Sequence, residues 1–314
     1  MTKPDILLMG PPQHPDIPAE LERDFRLHRY WEAPDRAALI AQLAPHLRYI
    51  STSGHDGPDA ATIRALPKLE LISSFGVGYD GIDTAAAQAQ GVRVTNTPDV
   101  LNDCVAELTL GLMLALAREI PASDRFVRDG RWAAGPYPFT GELTGKRAGI
   151  LGLGRIGKEI ARRLEVFRME IAYHGRRQQE GVPYRYYGDL HEMAREVDWL
   201  IVIAPATAES RHLVDASVLE ALGPRGHLVN VARGALVDEA ALVEALQTGR
   251  IAGAGLDVFE DEPRPLPGLL SLPNTVLTPH TGSATWRTRK IMAELMLANL
   301  RAHLAGEPVK TPVV

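Results

Sequence analysis

The chain has 314 residues, 45% of them hydrophobic and 23% charged, with a formal net charge of −5. That length favours two domains over a single core, and the acidic balance argues against a general nucleic-acid binder, which carries a basic patch. The single cysteine, Cys104, cannot form an internal disulfide, so a reducing cytoplasm is the expected setting.

The N-terminal stretch MTKPDILLMGPPQHP holds too short an apolar run for a signal peptide. After it, the first hundred residues alternate short apolar runs, at 6–9, 49–51, 69–73 and 92–94, with helix-like patterns at 36–43, 59–65 and 84–90. Strands alternating with helices predict parallel pairing in an α/β layer structure. Residues 102–118 predict one long helix, capped by Asn102 or Asp103 and stopped at Pro121. Its apolar part is broken by Glu107 and Arg118 and is too short to span a bilayer. Cys104 lies in it and reads as a small buried hydrophobe. The stretch 131–140, RWAAGPYPFT, is rich in Pro, Gly and aromatic residues and predicts a loop. A second series follows, with strand 147–152, helix 155–167 and strand 170–173. The runs 198–204 and 227–231 are nearly all apolar, as in strands buried on both faces. Strands at 251–257 and 275–278 complete the set, and a long helix at 284–305 ends before Pro308.

The motif Gly152-Leu153-Gly154-Arg155-Ile156-Gly157 follows an apolar run and opens a helical one, which is the context a dinucleotide loop needs. Gly152 permits a tight turn, Gly154 clears the approach of a pyrophosphate, and Gly157 lets helix and strand pack closely. The helix N-terminus offers N–H groups and a positive dipole end to phosphates. Alone, the pattern also fits a plain tight turn. The next strand ends Tyr173-His174-Gly175-Arg176-Arg177, with no carboxylate for the ribose hydroxyls. A guanidinium there binds an adenosine 2′-phosphate bidentately, so NADP is expected over NAD. Two arginines by themselves equally fit a solvated loop.

Three later segments carry acid–base and anion-binding types. Asn230-Val231-Ala232-Arg233-Gly234 ends a strand, which puts Arg233 at the carboxyl edge of the sheet, where ligands bind in such folds. The segment GLDVFEDEP holds Asp257 and Glu262, and Thr278-Pro279-His280-Thr281-Gly282-Ser283 follows the last strand. Hydride transfer to a keto carbon builds negative charge on its oxygen, and a proton must arrive as that charge forms. His280 suits the donor role. Glu262 is the candidate to orient the imidazole and favour its charged form. Arg233 is the candidate to bind the substrate carboxylate and polarise the keto group. Each residue singly has an ordinary structural explanation, so the constellation carries the weight.

Over nearly its whole length the chain resembles the D-isomer-specific 2-hydroxyacid dehydrogenase family. The segments that carry the resemblance are SFGVGYDGID from Ser74, VTNTPDV from Val94, the GLGRIG loop, Val231-Ala232-Arg233-Gly234, GLDVFEDEP and Pro279-His280-Thr281-Gly282-Ser283. The resemblance implies that Arg233, Glu262 and His280 are catalytic, with Arg233 and His280 also touching substrate. It implies that the backbone of Val77 and Gly78 forms a substrate-carboxylate loop. Cofactor contacts are implied at Gly152, Leu153, Gly154, Arg155, Ile156 and Gly157, and at Gly175, Arg176 and Arg177. Others fall at Thr109, Ala204, Pro205, Val231, Ala232, Arg233, His280 and Gly282, with Asp257 at the nicotinamide amide. Within the family the chain is similar to the glyoxylate/hydroxypyruvate reductases, including plant-type hydroxypyruvate and hydroxyphenylpyruvate reductases. The similarity lies in Arg176, Tyr186-Tyr187-Gly188, ALGPRG from Ala221 and Thr311-Pro312-Val313-Val314. That group generally uses NADPH.

The implied fold is α/β, with two Rossmann-like or flavodoxin-like domains built on doubly wound parallel sheets and a cleft between them. Residues 1–100 and 285–314 would form the substrate domain and 101–284 the NAD(P)-binding domain, with closure excluding water. A homodimer joined through the cofactor domain is implied, with loop 131–140 in its interface. No metal, membrane or nucleic-acid partner is expected. The expected activity is NADPH-dependent reduction of a small 2-keto acid, glyoxylate or hydroxypyruvate, to the D-2-hydroxy acid. One alternative is an NADH-dependent dehydrogenase acting on hydroxyphenylpyruvate, 2-ketogluconate or phosphoglycerate. Another is a dinucleotide-sensing, corepressor-like protein, although a pure sensor need not keep Arg233, Glu262 and His280 together.

Overall fold

Two all-parallel sheets organise residues 3–314, which the computed structural model describes. The first contains β1 (Asp5–Leu8), β2 (Arg26–Arg29), β3 (Tyr49–Ser53), β4 (Leu71–Phe75) and β5 (Arg93–Thr95), in the order β2-β1-β3-β4-β5. That is the flavodoxin-like order, which reverses between β1 and β3. β1 and β4 are buried along their whole length, as their apolar runs predict for strands covered on both faces. The second sheet contains β6 (Arg147–Leu151), β7 (Glu170–His174), β8 (Arg185–Tyr187), β9 (Trp199–Val202), β10 (His227–Asn230), β11 (Gly253–Leu256) and β12 (Thr275–Leu277). Its order, β8-β7-β6-β9-β10-β11-β12, is the Rossmann order with a seventh strand added, and it reverses between β6 and β9.

By compactness the chain separates into two units. One is made of the residues up to Leu101 together with Thr285–Val314, and the other is Asn102–Ala284. Each has its own core. Leu7, Ile50, Ile63, Leu66 and Ile72 cluster in the first, and Leu200, Val202, Leu219, Leu228 and Leu256 in the second. The chain returns to the first unit through helix Trp286–Leu304, capped by Thr285, whose hydroxyl accepts from Thr288 N–H. This helix lies on β4, where Ser73 Oγ donates to the Met296 carbonyl at 3.2 Å. Beyond it, Val313 N–H donates to Val94 O at 2.7 Å and Val94 N–H to Val314 O at 3.2 Å. The C-terminal residues thus pair with β5, antiparallel at Thr95 and Pro312.

Three local features differ from the sequence expectation. β2 (RLHR) and β8 (RYY) lie at sheet edges and have no apolar run to announce them. Pro121 does more than stop the preceding helix, which spans Asn102–Ala117. It occupies the first turn of a new helix, Ile120–Arg128, where its missing N–H costs nothing. Within the expected loop 131–140, Arg131–Ala134 forms a 3-10 turn. Helix Ile120–Arg128 has no buried residue, and Ile120, Val127, Trp132 and Phe139 are all exposed. Among the described residues, no helix is long and apolar enough to cross a membrane.

Candidate active site

In the second unit the glycine loop leaves β6 where the strand order reverses. Gly152 has φ +101°, and a Cβ there would lie 2.7 Å from the Ala204 Cα, just past β9. Only glycine lets the turn and this close approach coexist. A Cβ on Gly157 would meet the Gly152 carbonyl oxygen at 2.4 Å, so the helix Arg155–Val166 packs directly under the loop. Gly154 is different: it is exposed, and a Cβ there would meet nothing within 4 Å. No side chain caps the helix that starts beside it. Two glycines shape the loop and the third leaves open space before a helix N-terminus, which fits a dinucleotide pyrophosphate. Leu153 is buried beneath, Ile156 is half-buried and Arg155 is exposed. Ala204 is half-buried and Pro205 exposed at the end of β9.

Gly175, Arg176 and Arg177 follow β7 at the same carboxyl edge, and both arginines are exposed. Their loop is fixed to its surroundings. Tyr186 Oη donates to Gly175 O at 3.1 Å, and Gln179 N–H donates to Tyr173 Oη at 2.8 Å. Gln179 Nε2 donates to Leu153 O at 2.7 Å and ties this loop to the glycine loop. Nothing in the residue pattern singled out Gln179, because its part depends on that tertiary contact. Thr109 is fully buried in helix Asn102–Ala117, with its hydroxyl donating to Val105 O at 2.8 Å inside its own helix.

Arg233 follows β10 and is half-buried, with Nη1 donating to Ala232 O at 2.8 Å. Val231 and Ala232 beside it are buried. Asn230, 1% exposed, closes this turn with both ends of its amide. Its Nδ2 donates to Arg233 O at 2.9 Å and its Oδ1 accepts from Ala232 N–H at 3.1 Å. Asparagine at a strand end commonly folds back on its own backbone, and that was the available signal for its role. Gly234 then abuts the neighbouring loop. A Cβ on it would lie 1.9 Å from the Phe259 carbonyl carbon.

Glu262 and His280 are joined directly. Glu262 Oε2 lies 2.7 Å from His280 Nδ1, and Glu262 Oε1 accepts from Phe259 N–H at 3.0 Å. Both side chains are about one-third exposed or less. His280 sits at φ +51°, a left-handed conformation that is uncommon for a residue with a Cβ. Asp257, 2% exposed, holds it there. His280 N–H donates to the Asp257 carbonyl at 2.8 Å. Asp257 Oδ1 accepts from Thr278 Oγ1 at 2.6 Å and Thr281 N–H at 2.7 Å, and Oδ2 accepts from Gly282 N–H at 2.8 Å. Sequence reasoning assigned Asp257 only to the cofactor. Here both of its oxygens are engaged by the loop that carries His280.

In the first unit, the loop after β4 is tied by Asn96 and Thr97. Gly76 N–H donates to Thr97 Oγ1 at 3.0 Å, and Asn96 Nδ2 donates to Val77 O at 2.9 Å. Val77 and Gly78 are half-buried, and the Val77 carbonyl is turned to Asn96. The VTNTPDV segment recognised in the sequence thus anchors the SFGVG segment.

Comparison with known proteins agrees with this geometry. The NAD-binding domain of the D-isomer specific 2-hydroxyacid dehydrogenases matches residues 110–282. A hydroxyphenylpyruvate reductase of Plectranthus scutellarioides is 47% identical over 308 residues, 98% of each chain. Glyoxylate/hydroxypyruvate reductase A of Arabidopsis thaliana is 45% identical over 308 residues, again 98% of each. Among solved structures, an NADPH-dependent glyoxylate/hydroxypyruvate reductase of Sinorhizobium meliloti, in complex with NADP and malonate, superposes with a TM-score of 0.94. It is 46% identical, with 100% of this chain and 97% of that one covered. A nicotinamide dinucleotide is therefore the ligand that the glycine loop is built to hold, and the chain belongs to the D-isomer specific 2-hydroxyacid dehydrogenase family, in its glyoxylate/hydroxypyruvate reductase group, as an NAD(P)-dependent oxidoreductase.

Proposed function

We propose that this enzyme reduces a small 2-keto acid of the glyoxylate/hydroxypyruvate type to the D-2-hydroxy acid, preferring NADPH to NADH, with His280 as proton donor. The observation that carries the proposal is the 2.7 Å contact between Glu262 Oε2 and His280 Nδ1. A carboxylate on Nδ1 fixes the ring and leaves Nε2 to deliver the proton to the developing alkoxide. Arg233 takes the substrate carboxylate and polarises the keto oxygen, and the family resemblance assigns carboxylate binding to the main-chain N–H groups of Val77 and Gly78 as well. When bound, the dinucleotide supplies the hydride. The D configuration follows the family, and the substrate type follows the names of the relatives. The buried lone Cys104 supports a cytoplasmic setting.

Initial rates with NADPH and NADH on glyoxylate, hydroxypyruvate, hydroxyphenylpyruvate, pyruvate and 2-ketogluconate test this. The highest kcat/KM belongs to glyoxylate or hydroxypyruvate with NADPH. A preference for NADH, or for hydroxyphenylpyruvate, would replace the proposal with the other reading of the group.

The exposed Arg176 and Arg177, with no carboxylate at the end of β7, support the NADPH preference. Arg176→Ala is expected to raise KM for NADPH about 10- to 100-fold, the worth of one charge-assisted contact, and to leave KM for NADH within about twofold. Equal effects on the two cofactors sink the phosphate clamp.

We further propose a homodimer whose interface uses helix Ile120–Arg128 and residues 131–140, where Ile120, Val127, Trp132 and Phe139 stand exposed. Large apolar side chains left exposed along one stretch of chain offer surface that an association could bury. Light scattering is expected to give twice the chain mass for the wild type and a shift towards monomer for Trp132→Glu. A monomeric wild type excludes this dimer.

A further inference from the structure

The loop that carries Glu262 is gripped from outside the catalytic set. Glu239 is the first residue of helix Glu239–Gln247 and is 3% exposed. Its Oε1 accepts from Glu260 N–H at 2.6 Å, while its own N–H donates to Glu260 Oε1 at 3.1 Å. This reciprocal pair joins the segment that follows Arg233 to the segment that leads into Glu262. The helix does not need Glu239 as a cap, because Asp238 already accepts from Ala241 N–H at 3.0 Å.

The two carboxyls differ in surroundings. Glu260 Oε2 lies 3.1 Å from Arg211 Nη2, and Glu260 Oε1 lies 3.0 Å from His212 Nε2. Burial works against its charge, but the Glu239 N–H, His212 and Arg211 together hold Glu260 below the usual carboxylate range. Glu239 Oε2 is buried and has no hydrogen-bond partner among the described residues. Burial pushes the Glu239 carboxyl up, and the negative charges of Glu260, Glu262 and Asp261 push the same way, against the pull of the Glu260 N–H. A buried carboxyl with one bare oxygen is far cheaper neutral than charged. Charge is therefore favoured on Glu260 and disfavoured on Glu239, and in either form Glu239 Oε1 can accept the Glu260 N–H.

We propose that Glu239 is a positioning residue for the reaction: its carboxyl clasps the 259–262 loop against the segment after Arg233 and so keeps Glu262 on His280. The proposal rests on the roles assigned above to Arg233, Glu262 and His280. The function of the clasp is to supply an acceptor at Oε1, so glutamine replaces it and aspartate, withdrawn by one methylene, does not.

The experiment compares Glu239→Ala, Glu239→Asp and Glu239→Gln with the wild type and with His280→Ala, with NADPH varied up to saturation. Expected are a kcat about 10- to 100-fold lower in E239A and E239D, as for a catalytic group displaced by a fraction of an ångström, and a KM for NADPH within about twofold. E239Q stays within about threefold of the wild type, because its amide oxygen preserves the acceptor. Hydrogen exchange at the amides of residues 259–262 speeds up in E239A and E239D and stays at the wild-type rate in E239Q. Wild-type kcat in E239A and E239D overturns the clasp, as does an E239Q no better than E239D. The contrast between E239D and E239Q decides the matter if E239A does not fold. A wild-type enzyme inactive on every 2-keto acid, or an H280A variant as active as the wild type, overturns the catalytic assignment and the clasp with it.

Discussion

His280→Ala is expected to lower kcat about 10²- to 10⁴-fold, the usual contribution of a positioned general acid, with the Kd for NADPH within about twofold of the wild type. The proton is lost as a reagent, while the glycine loop that receives the dinucleotide is untouched. One complication is built into the site. His280 holds φ +51°, and left-handed backbone costs an alanine about 1–2 kcal/mol. Asparagine tolerates that conformation, so His280→Asn separates the two effects. It is expected to melt near the wild-type Tm and yet share the loss of kcat. Stopped-flow single turnovers under saturating NADPH make the measurement. A His280→Asn variant with wild-type turnover removes His280 from the acid role, whatever the stability of the alanine variant.

Gly234→Ala is expected to damage both stability and chemistry. A Cβ at this position would lie 1.9 Å from the Phe259 carbonyl carbon, 2.1 Å from its oxygen and 2.3 Å from Glu260 N. All three are backbone atoms, which cannot swing aside as a side-chain tip would. The segment after Arg233 and the segment before Glu262 must therefore separate. Overpacking of this kind costs about 1–3 kcal/mol and occasionally more. In a domain of this size that lowers Tm by roughly 2–4 °C per kcal/mol. The movement also separates Arg233 from the Glu262–His280 pair, so kcat/KM should fall about 100-fold or more. Gly154→Ala provides the contrast, because a Cβ there meets nothing within 4 Å. It should melt like the wild type and bind NADPH about tenfold more weakly, the methyl group intruding only on the ligand. Calorimetry and initial rates on the two variants check the pair. Equal melting temperatures in G234A and the wild type would show that the two segments part without cost, contrary to the packing.

Much of the architecture was legible because burial on both faces leaves an unbroken apolar signature. WLIV of β9 and ILG-rich β6 read as strands for that reason, and the βα alternation then dictated parallel sheets. β2 and β8 carry arginine, histidine and tyrosine at the sheet edges, where one side of the strand has no neighbour and no apolar run is required. Pro121 was ambiguous from local chemistry alone, since proline both ends one helix and suits the first turn of the next. The site shows the same division. Arg233, Glu262 and His280 carry chemistry in their own functional groups and stand in recognisable segments. Asn230, Gln179 and Glu239 matter through the partner each one meets, and those partners lie three, 26 and 21 residues away. Asp257 lies between the two cases: its segment was conspicuous, but its hold on the His280 loop depends on how β11 and the residues after β12 come together.

The first unit is assembled from both ends of the chain, and this sets an order of events during synthesis. On the ribosome, Asn96 and the loop it anchors emerge before the second unit, while some of their supports emerge after it. Thr311 Oγ1 donates to Asn96 O at 2.6 Å, and Val313 and Val314 pair with Val94. Helix Trp286–Leu304, which covers β4, also follows the whole of the second unit. A nascent chain can therefore complete its dinucleotide-binding sheet while the sheet made first still lacks a face and an edge. Asn96, which braces the Val77 carbonyl, gains its own support from Thr311 only after the second unit has been made, so the dinucleotide-binding sheet can form before the loop Val77–Gly78 has all its supports.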